Sequence, residues 1–155
     1  MKTSVQVVSK LITILFLFYS CFSTVKAQEN NGNEYVGQLP EEIISQSLSN
    51  THLWEESSLS FNAVSSLYVL NHGVELDLPT NLEVSGKPVV LINKGDIGTL
   101  GNSPYFLFHT LKIDEVKAFV RIYLSYDVNG ERATNNVELN FLKTQNGWEL
   151  SNNQL

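Results

Sequence analysis

The chain has 155 residues, a formal net charge of −6 at pH 7 and a single cysteine. Such an acidic balance speaks against nucleic acid as a partner, because the phosphate backbone is held by clustered Lys and Arg. It also disfavours simple docking on an anionic lipid surface.

Residues 1–27 read as a secretory signal. Lys2 and Lys10 precede an apolar run from Leu11 to Phe18, and Val25-Lys26-Ala27 supplies a small residue at the exit. The run is shorter than the roughly 20 residues a permanent helical span needs. Cys21 follows Ser20 and opens a second route, lipid attachment, which Phe18 and Tyr19 fit poorly. The expected location is therefore secreted or periplasmic, with a lipoprotein anchored through Cys21 as the second choice. Cleavage after Ala27 would leave 128 of the 155 residues, with seven basic against sixteen acidic side chains and a formal charge of −9. That remainder holds no cysteine, so its stability must come from a core and not from disulfides. Its size suits one domain. The expected organisation is a signal at 1–27, a polar lead-in at 28–37 and a single α+β domain at 38–155.

The lead-in, QENNGNEYVG, is polar and rich in Asn. Pro40 then opens a predicted helix over 40–50. Glu41 and Glu42 place negative charge against the unpaired amides of its first turn, and Ile43, Ile44 and Leu48 share one face. Residues 53–72 are ambiguous. Phe61, Val64, Leu67 and Tyr68 recur at helical spacing and favour a helix ending near Asn71-His72-Gly73. The serines there weaken it, and Leu67-Tyr68-Val69-Leu70 offers a strand instead. From Val74 onward strands dominate. Val74, Leu76 and Leu78 alternate with Glu75 and Asp77 up to Pro79. Leu82 to Val84 continues the sheet, and Val89 to Ile92 forms a short apolar strand. The Gly-punctuated stretch from Lys94 to Gly101 reads as an irregular link.

Three strands follow in clear alternation. They are Tyr105–Ile113, Lys117–Val128 and Asn136–Lys143, with turns at Asn129-Gly130 and Gln145-Asn146-Gly147 and a closing strand at Trp148-Glu149-Leu150. Ala118, Val120, Ile122, Leu124 and Tyr126 take one face of the middle strand. Phe119, Arg121, Tyr123 and Ser125 take the other. One or two N-terminal helices packed on a curved antiparallel sheet give an α+β layer structure.

The end of the chain, from Tyr105 through Asn146-Gly147-Trp148-Glu149-Leu150, resembles the closing hairpins of small secreted domains with cystatin-like or NTF2-like folds from Bacteroidetes-type bacteria. The similarity implies a sheet wrapped round a helix, with a pocket between them. It carries over no catalytic residue.

His52, His72 and His109 have no zinc-ligand spacing, and no metal site or cofactor is expected. No GxSxG elbow or SxxK pair occurs. Asp127, Asn129 and Glu131 superficially suggest a calcium loop, but Gly130 falls at the wrong position and turn chemistry accounts for them. GDIGTLG matches neither a dinucleotide nor a phosphate loop. Trp54 and Trp148 read as core anchors. His109, placed by regular alternation on the side of Leu107 and Leu111, needs a hydrogen-bond partner, for which Tyr123 or Asp96 is available.

The candidate ligand-binding residues are His109, Phe119, Arg121 and Tyr123. The leading expectation is an exported, non-enzymatic domain that binds a small molecule, a peptide or an envelope protein. One alternative is an NTF2-like hydrolase or isomerase using His109 with Asp96 or Asp114. Another is a structural or assembly module of the cell envelope. No membrane span is expected after cleavage, and a homo-oligomer is compatible with each of these.

Overall fold

A computed structural model describes residues 38–55, 57 and 59–151, all within one compact unit, Asn33–Leu155. The expected signal at 1–27, Cys21 and the expected lead-in at 28–37 lie outside the described residues.

Helix α1 spans Glu41–Leu48. Pro40 caps it, and its carbonyl accepts from the N–H groups of both Ile43 and Ile44. Ile43, Ile44, Ser47 and Leu48 form the buried face, as the spacing requires. A short second helix, α2, runs over Thr51–Glu55 and buries Leu53 and Trp54. The helical reading of 53–72 ends there. Phe61–Ala63 forms one 3-10 turn, and Leu67–Leu70 is strand β1. The correction has a tertiary cause. Leu67, Val69 and Leu70 are buried, in a strand flanked on both sides, where a continuous apolar run is favoured over helix.

Six further strands follow: β2 Glu83–Val84, β3 Lys87–Ile92, β4 Tyr105–Ile113, β5 Lys117–Val128, β6 Glu131–Thr144 and β7 Gly147–Leu150. Their order across the sheet is β2-β3-β1-β4-β5-β6-β7. The architecture is α+β, with a bent helical segment packed on a curled sheet. The sheet is mixed, because β1 runs parallel to both β3 and β4 while the other pairs are antiparallel. The expected strand at Val74–Leu78 does not join the ladder. Leu76 is buried, but among the described residues the segment pairs only through an isolated bridge between Asp77 and Gln38. The stretch Lys94–Leu100 is a 3-10 helix, not an irregular link.

Two hairpins use left-handed turn residues. Asn129 and Gly130 have φ of 56° and 88° between β5 and β6, and Ser85 and Gly86 have 51° and 75° between β2 and β3. Positive φ at both central positions matches the right-handed twist of the flanking strands. The first turn is legible as Asn-Gly. The second is masked by its Ser.

The inner face carries Phe106, Phe108, Leu111, Val120, Ile122, Leu124, Leu139 and Phe141, all in one cluster with Ile43, Ile44, Leu48 and Trp54. Each such side chain contributes about 1.5–3 kcal/mol when fully buried. Trp54 sits at the junction. Its ring makes edge contacts with Phe61 at 5.4 Å and Phe106 at 5.5 Å, and its indole N–H donates to the Leu48 carbonyl at 2.8 Å. Asn135 also points inward from β6, and its amide donates to the carbonyls of His52 and Leu53, fixing α2 to the sheet.

Candidate functional site

With the inner face packed against the helices, the opposite face of β4, β5 and β6 remains open. Its composition follows from the pleat. On β5, Phe119, Arg121 and Tyr123 alternate with buried Ala118, Val120, Ile122 and Leu124, and all three are half-buried. Cross-strand pairing sets their neighbours. Phe119 stands between Lys112 and Asn140, Arg121 between Thr110 and Glu138, and Tyr123 between Leu107 and Asn136.

His109 reaches this face by an irregularity. Phe108 pairs with Ile122, and the next pair is Thr110 with Arg121, so His109 is an extra residue in a β-bulge. The bulge shifts the phase of β4. Phe106 and Phe108 point inward before it, and Leu111 points inward after it. His109 therefore does not share a side with Leu111, as uninterrupted alternation predicts. The imidazole is exposed. Its Nδ1 lies 3.0 Å from Thr110 Oγ1, and its ring centroid lies 5.4 Å from that of Tyr123. Neither Asp96 nor Tyr123 is its hydrogen-bond partner. The Asp96 carboxylate accepts instead from the backbone N–H of Asn93 and caps the 3-10 helix.

Arg121 is held by Glu138. Its Nε and one terminal nitrogen both donate to Glu138 Oε1, the Nε bond measuring 2.8 Å. The pair is accessible, with side-chain exposures of 37% and 50%. At this exposure it contributes at most about 1 kcal/mol. Its larger effect is to tether the Arg121 side chain of β5 to β6. One end of the face is closed by Arg132, whose guanidinium donates to the carbonyls of Ser103 and Gly101 and lies 5.5 Å from the Tyr105 ring centroid.

The structure thus brings His109, Arg121 and Tyr123 together and places Phe119 one rung further along β5. The other titratable candidates are dispersed. His52 is exposed beside Glu55, and His72 is exposed in a loop. Asp127 accepts from Gly130 N–H in the hairpin turn, which is turn chemistry and not calcium ligation. Asp114 accepts from the N–H groups of Val116 and Lys117, and these bonds hold its carboxyl below the usual carboxylate range. No group of His, Cys, Asp and Glu among the described residues is arranged to hold a metal ion. The side chains of Lys112 and Thr110 complete the face but carry no signal in sequence, because only the bulge and the ladder place them beside Phe119 and Arg121.

Among the described residues, no helix is long and apolar enough to cross a membrane. No protein-family model, curated protein or solved structure matches the chain.

Proposed function

We propose that the chain is exported and that its folded domain is a non-enzymatic binding module, taking a small molecule, a peptide or an envelope partner on the open face of β4–β6. One observation carries this reading: His109, Phe119, Arg121 and Tyr123 stand on a single accessible face while the apolar side of the same strands is consumed by the core. Aromatic and Arg side chains are the residue types that dominate binding energy at interfaces. A carboxylate beside His109 would favour a general-base role, and its near neighbours are instead Thr110 and the Tyr123 ring.

The test replaces Tyr123 with a photoreactive phenylalanine analogue and, as a control, exposed Thr80 with the same group. Irradiation in an envelope extract of the host should give an adduct at position 123, read by mass, that position 80 does not give. Identical products at both positions, or none at 123, overturn the proposal.

A further inference from the structure

We draw no further inference here: the strongest candidate, the exposed apolar corner where Val116 of the β4–β5 turn meets Leu142 of β6 and Leu150 of β7, carries nothing because nothing in the structure shows what covers it.

Discussion

The side-chain amide of Gln46 pairs with the backbone round Trp148 as a neighbouring strand would. Its Nε2 donates to the Trp148 carbonyl at 2.7 Å, and its Oε1 accepts from the Leu150 N–H at 3.1 Å. Strand β7 is the last in the sheet, so these are groups of an open edge. A helix side chain covers them and blunts an edge that would otherwise template pairing with another chain. Gln46→Ala should lose about 1–2 kcal/mol, two hydrogen bonds of ordinary net worth. It should also self-associate more readily. Urea denaturation and light scattering read the two effects, and unchanged association would show that the edge needs no cover.

Ser47 lies on the buried face of the same helix, 0% exposed, and its hydroxyl has no hydrogen-bond partner among the described residues. Leaving such a group unsatisfied costs roughly 1–3 kcal/mol. Ser47→Ala removes that cost and adds a better helix former, so the urea midpoint should rise by the equivalent of about 1 kcal/mol with an unchanged slope. A fall in the midpoint would show that the hydroxyl is satisfied in solution.

Gly147 adopts φ of 109°, and a Cβ there would meet Glu42 Oε1 at 2.7 Å. Gly147→Ala should cost about 1–3 kcal/mol, from the left-handed conformation and the contact together. Adding Glu42→Ala relieves the contact but not the backbone, so the double variant should recover only part of the loss. Full recovery in thermal melts would place the whole effect in the side chain.

The His109 bulge makes a deletion informative. Removing His109 brings Thr110 directly after Phe108 and restores a regular ladder without turning any inward residue outward. The deleted protein should fold with a loss of no more than about 1–2 kcal/mol. Removing Leu107 instead inverts the residues on one side of the gap and should abolish the cooperative transition. Equal tolerance of both deletions would contradict the register.

Asp114 links the β4–β5 turn to pH. Its carboxyl is held below the usual carboxylate range, first by the Val116 N–H and then by the Lys117 N–H. A lowered folded-state value means the stabilisation is complete above the ordinary carboxylate pKa and is lost as pH falls through the depressed one. The stability difference between the protein and Asp114→Ala should therefore be constant at neutral pH and shrink in acid. A difference that grows on acidification would reverse the assignment.

Alternation delimits β4 and β5, and the apolar spacing of Ile43, Ile44 and Leu48 delimits the face of α1, because period two and period 3.6 are written directly in the order of side chains. The same alternation leaves Phe119, Arg121 and Tyr123 on one face of β5 before any contact is known. Other features have no local signature. Leu67–Leu70 leans towards helix by its apolar spacing, and insertion between β3 and β4 makes it a strand. The parallel pairing of β1 depends on a crossover, and the side of the sheet that reaches solvent depends on where the helices pack. His109 is the clearest case. Its residue type and position are plain in the chain, but a single unpaired residue resets the phase of β4, and that reset is defined by the register against β5. A strand specifies which of its residues share a face. Its partner specifies where that pattern slips.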